Sequence, residues 1–164
     1  MIIGAGTIGL MQLLLLREVA GRLDVEELNS KRMSKAMSFG AHPGGDGAPV
    51  RYDAVLECSG TVAGFEKAVS SVRPGGRILV FGVTPVGKTA QISPNDIYRR
   101  ELTIVGSYIN PHTFNRSIAM IGSGRIPLSG LDVRYFSLED FGAAFEASVS
   151  GNYSKVAFQS KEGD

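Results

Sequence analysis

Short apolar runs, each a few residues long, alternate along this chain with longer stretches in which apolar positions recur every three or four residues. That alternation is the mark of strands interleaved with helices, and it predicts a parallel sheet covered by helices, hence the α/β class. Residues 1–4 read as the stub of a first strand. Residues 7–20 read as a helix, apolar almost all round and therefore expected to be buried. A second strand is predicted over 23–26, followed by a helix over 30–39. The stretch 40–52 has the glycine and proline content of a loop. Strands are predicted over 53–57 and 77–82, on either side of a helix over 62–72. Another strand is predicted over 101–107 and a helix over 113–121. The tail offers a helix over 138–148 and a last strand over 154–158.

Composition narrows the class. With 164 residues, 43% apolar and 20% charged, the chain suits one soluble domain over 1–164 with a real core, in which 130–164 forms a C-terminal return segment. A net charge of +1 gives no reason to expect nucleic acid or an anionic membrane as partner. The one cysteine, Cys58, has no partner for an internal disulfide, and with two histidines it cannot assemble a conventional zinc site. His42 and His112 stand in loops beside Pro43 and Pro111 and are expected to be exposed. A reducing cytoplasm is the expected location. Residues 1–16 carry no charge and resemble a secretory h-region loosely. They lack a basic preceding segment, contain three glycines and are too short to span a bilayer.

The candidate chemistry begins with "GAGTIG". In a G-x-G-x-x-G loop the first glycine allows a tight turn, the second lets backbone approach a diphosphate, and the third lets helix pack closely on strand. Gly4, Gly6 and Gly9 fit these positions in order, with Thr7 and Ile8 opening the helix whose N-terminus would face the phosphates. By itself such a loop also reads as a packing turn. An acid about 20 residues further on, at the end of the second strand, would accept from a ribose hydroxyl. Asp24, Glu26 and Glu27 fall in range, and Glu27, last of the three, is preferred over a reading as a solvated strand-end carboxylate. A carboxylate there repels a 2′-phosphate and favours NAD over NADP, while Lys31 and Arg32 close by soften that preference.

Further motifs occur in order: "YDAVLECSG", "VRPGGRILVFGV", "RRELTIVGSY", then "SGRIPLS", "FSLEDFGAAFE" and "SKVAF". With "GAGTIGL" ahead of them, they closely resemble the cofactor-binding, C-terminal domain of the medium-chain dehydrogenase/reductase superfamily. The flavour is that of zinc-type alcohol, polyol (sorbitol-like) and threonine dehydrogenases. The resemblance runs from Met1 to about Phe158 and implies a Rossmann-like doubly wound parallel sheet. It implies a diphosphate cradle at 4–9, Glu27 as the ribose acid and Arg32 as a basic residue beside the adenosine. Cys58 and Ser59 match the strand end that walls the adenosine side. Gly82, Val83 and Ser107 match strand ends whose backbone faces the nicotinamide, and Lys155 matches a basic residue near the diphosphate. Local readings compete: Pro74 and the glycines after it can simply stop a helix and start a strand, and Cys58 can be a small buried apolar residue.

Two departures from the family accompany the resemblance. The zinc ligands of such enzymes come mainly from a separate catalytic domain, for which this chain has no counterpart, so it reads as a truncated chain or fragment with little activity of its own. Relatives also have a third strand and a crossover helix where this chain has only the glycine-rich stretch 40–52. One edge strand and its crossover are therefore expected to be missing, with "LDVEE" as a half-exposed edge. About twelve extended residues reach on the order of 40 Å, enough to cross beneath the sheet. Three functions follow from these residues. The first is the NAD-binding portion of a zinc-type alcohol or polyol dehydrogenase. The second is a non-catalytic remnant that binds nucleotide or pairs subunits through sheet edges. The third is an S-adenosylmethionine-dependent methyltransferase, disfavoured because "ELTIVGS" reads as a further parallel strand. The substrate is not legible in the chain.

Overall fold

The structure is a computed structural model and describes residues 1–45, 51–109 and 112–159. It falls into two compact units, Met1–Ile118 and Ala119–Asp164. The first is built on six parallel strands: β1 (Ile2–Ile3), β2 (Asp24–Glu26), β3 (His42–Pro43), β4 (Tyr52–Glu57), β5 (Val72–Val80) and β6 (Thr103–Gly106). Their spatial order is β3-β2-β1-β4-β5-β6. This is the Rossmann-like doubly wound sheet. Its strand order reverses between β1 and β4, which opens a crevice at the carboxyl ends of those strands.

Helices α1 (Thr7–Leu16) and α2 (Ser30–Ser38) follow β1 and β2, whereas α3 (Val62–Ser71) and α4 (Pro94–Arg99) follow β4 and β5. Right-handed crossovers running in opposite directions from the reversal put these two pairs on opposite faces. On the α3 side, Met1, Ile3, Val55, Ala68, Val69, Val72 and Ile78 form one buried cluster. Ile2, Leu10, Leu13, Leu14, Val25 and Ala36 are buried as well. Each large aliphatic side chain sealed in this way contributes on the order of 1.5–3 kcal/mol. The two-residue β1 is thereby held at the centre of the sheet, Ile2 at 0% exposure and Ile3 at 5%.

Several expectations are corrected. Helix α1 stops at Leu16 and buries one side, Gly9, Leu10, Leu13 and Leu14, while Ile8 is half exposed. Beyond it the chain turns, with the amides of Val19 and Ala20 both donating to Leu16 O. Strand β2 is interior, bonded to β1 and β3. Its alternation reflects a buried polar group instead of an exposed face: Asp24 is 2% exposed and accepts from Arg22 Nε and Tyr52 Oη. The edge strand expected to be missing survives as the two residues of β3, paired to Asp24 and Val25. The expected route across to β4 falls at 46–50, outside the described residues. Strand β5 begins at Val72, five residues earlier than expected, and its register against β4 jumps from Tyr52↔Val72 to Ala54↔Arg77. The Pro74–Gly76 bulge absorbs the difference, with Gly75 in the left-handed region (φ 70°) donating its N–H to Arg100 O.

Helix α5 (Phe114–Gly122) begins in the first unit and ends in the second. The second unit pairs β7 (Val133–Phe136) in parallel with β8 (Lys155–Phe158), joined through α6 (Phe141–Val149). Phe141 of α6 stacks on Phe145 and on Phe158. Strand β7 had no counterpart in the sequence reading, because four residues in a two-stranded ribbon leave little periodicity to read.

Candidate functional site

The glycine loop fills the turn from β1 into α1. Gly4 has φ +92°, a conformation that favours glycine, and a Cβ there would sit 2.9 Å from the Ser59 backbone. A Cβ on Gly9 would lie 1.9 Å from Gly4 O, so helix and strand approach closely because this residue has none. Gly6 differs from both: a Cβ there would meet nothing within 4 Å. The outer two glycines thus answer to packing, and the middle one faces open space. Gly6 is also the N-cap of α1 and supplies no capping side chain, and the first turn of α1 has no acid. In contrast, α2, α3 and α4 are capped by Asn29, Thr61 and Ser93. The positive end of the α1 dipole therefore faces the crevice without an anion of its own, as a diphosphate site requires.

Glu27 follows β2 directly. Its Oε2 accepts from Ala5 N at 2.7 Å and its Oε1 from Asn29 N at 2.9 Å, which ties the glycine loop to the entrance of α2. Each oxygen keeps a lone pair for a hydroxyl. Asn29 Oδ1 accepts from Arg32 N, and this cap sets Arg32 in the first turn of α2 beside the carboxylate. Glu26 points toward α3, where Lys67 Nζ lies 3.5 Å from its Oε2.

The opposite wall is organised by Glu57, 1% exposed at the end of β4. Its Oε1 accepts from Ser59 N, Ser59 Oγ and Gly60 N. The carboxylate lies against the first turn of α3, since a Cβ on Gly64 would come within 2.9 Å of Oε1. Glu57 thus supplies to α3 the anion that α1 lacks. Cys58 stands beside it, and burial, aided by the Glu57 charge, pushes its thiol up to about 12. It is a protonated, weakly reactive wall residue.

These walls enclose a cavity of about 520 Å³, within the usual range for a cofactor or small-molecule site. Of the residues singled out from sequence, Gly4, Gly6, Glu27, Arg32, Cys58 and Ser59 line it. Thr7, Ile8 and Gly9 form the first turn of α1 behind the loop. Gly82 and Val83 follow β5, where Gly82 packs on Gly60 and Glu57 and Val83 is exposed. Ser107 follows β6, exposed, its N–H bonded to Val80 O. These three stand at the carboxyl edge of the sheet, outside the cavity lining. Lys155 opens β8 in the second unit and is exposed. The lining also includes Glu26, an alternative to Glu27 in the sequence, and Leu28, Ala63 and Lys67, which the sequence did not mark. Glu57 was overlooked as well, although it stands at the strand end of "ECSG", where a carboxylate before a helix start is a readable signal.

Among the described residues no group of three or more His, Cys, Asp or Glu could hold a metal ion, and no helix is long and apolar enough to cross a membrane. The donor set of the described residues does not fit zinc. The glycine cradle, with a clear side at Gly6 and a carboxylate at Glu27, does fit a dinucleotide.

Comparison with known proteins agrees with this geometry. The family model described as zinc-binding dehydrogenase matches residues 8–123. D-arabinitol dehydrogenase 1 of Uromyces fabae is 31% identical over 109 residues, covering 66% of this chain and 31% of that protein. L-threonine 3-dehydrogenase of Mesorhizobium japonicum is 27% identical over 172 aligned positions, covering 95% of this chain and 49% of that protein. A solved structure described as a zinc-binding dehydrogenase from Sinorhizobium meliloti 1021, bound to NADP, superposes with a TM-score of 0.80 at 28% identity, covering 87% of this chain and 46% of that one. The chain thus spans from 31% to 49% of the length of these two curated relatives. With the family model covering well over half of its length and the Rossmann-like sheet beneath it, the chain belongs to the zinc-binding dehydrogenase family.

Proposed function

We propose that residues 1–164 are the dinucleotide-binding domain of a dehydrogenase acting on an alcohol or polyol, with NAD(H) preferred over NADP(H). One observation carries this reading: the uncapped N-terminus of α1, at a glycine whose outward side is clear, opens beside a 520 Å³ cavity that also holds a strand-end carboxylate. In this reading the amides of the α1 first turn bind the diphosphate, and Gly6 lets it approach to hydrogen-bond distance. Glu27 accepts from the adenosine ribose hydroxyls and opposes a 2′-phosphate, with Arg32 as a partial counterweight. Gly82, Val83 and Ser107 present backbone toward the nicotinamide. A nicotinamide held there would supply the hydride acceptor or donor. The arabinitol and threonine named for two relatives mark the substrate class, a secondary alcohol on a polar carbon chain. Zinc, where the enzyme uses it, is held by residues outside this donor set. A reducing cytoplasm suits the protonated Cys58.

A second reading is favoured by one feature, the place of β6 at the end of the sheet order among the described residues. The strand carries Val105 at 49% exposure, so a second copy could add its own edge there. That pairing is compatible with cofactor binding. A methyltransferase is disfavoured by the parallel pairing of β6 with β5.

Calorimetric titration of the purified chain with NADH and with NADPH tests the proposal. Saturable NADH binding, at least about tenfold tighter than NADPH and with the gap narrowed in Glu27→Gln, is the expected result. No NADH binding by a folded, monodisperse sample overturns it.

A further inference from the structure

We infer that the buried carboxylate of Glu57 sets the balance between the two redox states of the cofactor, favouring the oxidised, cationic ring over the reduced, neutral one. The inference rests on the dinucleotide reading above and deepens it, by giving the nicotinamide end of the site a charge of its own. Glu57 is 1% exposed at the end of β4. Its Oε1 accepts from Ser59 N, Ser59 Oγ and Gly60 N, and its Oε2 has no hydrogen-bond donor at all. Among the described residues no lysine, arginine or histidine forms an ion pair with it. The first turn of α3 offsets part of the charge, on the order of half a unit. What is left is a buried charge without a counter-charge, a costly condition that a cation nearby relieves.

Oε2 is sealed from solvent, so no ligand atom reaches it and the carboxylate acts through its field instead of by contact. The packing around it places that field at the end of β5. The amides of Phe81 and Gly82 donate to Glu57 O at 2.9 and 2.8 Å. A Cβ on Gly82 would lie 2.5 Å from Glu57 Oε2 and 2.2 Å from Gly60 N, and a Cβ on Gly60 would lie 2.8 Å from Val83 O. Glycine at both positions leaves the carboxylate wedged between the turn after β4 and the end of β5, beside the backbone assigned to the nicotinamide. Nothing else on these strand ends is charged: residues 78–87 and 102–109 contain no Asp, Glu, Lys, Arg or His. Glu26 and Glu27 stand across the strand reversal at the end of β2, on the adenosine side.

The oxidised nicotinamide ring carries a positive charge and the reduced ring carries none. A ring lying over these strand ends displaces water from them. In the lowered effective dielectric that results, a buried carboxylate acts over several ångströms. The oxidised ring gains this attraction and the reduced ring does not. Any part that Glu57 plays in shaping the wall serves both forms alike, so the two roles leave different signatures.

The test is calorimetric titration with NAD⁺ and with NADH, on the wild-type chain and on Glu57→Gln. Glutamine keeps the length of the side chain and an oxygen for the three donors, and removes the charge. The expected result is a ratio of Kd for NAD⁺ to Kd for NADH that rises by about threefold or more in the variant. A ratio left unchanged, with both forms weakened in step or not at all, means a structural role alone; it overturns the inference and leaves the NAD reading standing. Where Glu57→Gln fails to fold, Val83→Lys serves, since Val83 is 86% exposed and a cation there opposes the same field. The ratio should rise in that variant too, and an unchanged ratio overturns the inference. Absence of any binding of either form by the folded wild-type chain overturns both.

Discussion

Two glycines three residues apart in the same loop should respond oppositely to the same substitution. At Gly9 an added Cβ would lie 1.9 Å from Gly4 O, a backbone atom that no rotamer change can move. Relieving that clash requires β1 and α1 to separate, and overpacking of this kind costs about 1–3 kcal/mol. For a domain of this size each kcal/mol lowers the melting temperature by about 2–4 °C, so Gly9→Ala should lose about 2–12 °C. At Gly6 the φ of −66° suits alanine and the new methyl meets nothing. Gly6→Ala should shift its melting temperature by no more than about 2–4 °C, because the gain of about 0.4–1 kcal/mol through the unfolded chain is offset by a similar cost of alanine at the N-cap. Its methyl does enter the space the diphosphate needs. Loss of one charge-assisted hydrogen bond, about 1.5–3 kcal/mol, weakens NADH binding by about ten- to a hundredfold. Thermal melts of the two variants, with and without NADH, make the comparison. A Gly6→Ala chain that melts early, or that NADH stabilises as much as wild type, would refute the assignment of the open side of the loop to ligand.

Other outcomes follow from the electrostatics. Burial, reinforced by the hydrogen bond to Asp24 and by its charge, pushes Tyr52 up from 10.0 to about 12. A raised value means that the fold holds the proton more tightly, so this stability is complete below pH 10 and lost as pH climbs toward 12. The loss amounts to on the order of 2–3 kcal/mol. Urea denaturation between pH 9 and 12 should show it, and Tyr52→Phe should remove the alkaline slope. At Asp24 burial pushes the carboxyl up, but the hydrogen bonds from Arg22 and Tyr52 with the Arg22 charge outweigh it and hold the group below its ordinary value. Its contribution is present above about pH 4 and falls away as pH drops further; Asp24→Asn should flatten that acid limb. The Cys58 thiol, raised to about 12, should react with a disulfide reagent at pH 8 far more slowly than a free thiol and at the normal rate in urea. As the one cysteine of the chain it gives an unmixed signal, and fast native labelling would contradict its burial.

Much of this protein was legible locally. Glycine spacing located the loop from β1 into α1, because backbone conformation and close approach admit few residue types there. Apolar periodicity located most strands and helices, since burying one face is what keeps such segments in place. The place of Glu27 beside the loop follows from its distance along the chain, as strand and helix lengths between the two are nearly fixed. What escaped depends on contacts between residues far apart in sequence. Asp24 looked like the polar half of an exposed edge strand, and only the arrival of Tyr52 on β4, with Arg22 beside it, makes it a buried acceptor. The two-residue β3 has no pattern of its own and exists because β2 offers it a ladder. Glu57 became the anion of α3 through a turn that folds back on its own strand end. Glu26 and Lys67 meet across the strand reversal from elements some forty residues apart. The sequence by itself determined most of the elements and the glycine loop between β1 and α1, which are matters of local backbone and burial. The tertiary structure decided which charges share the cavity, because the sheet order alone brings the ends of β2 and β4 together with the first turns of α3.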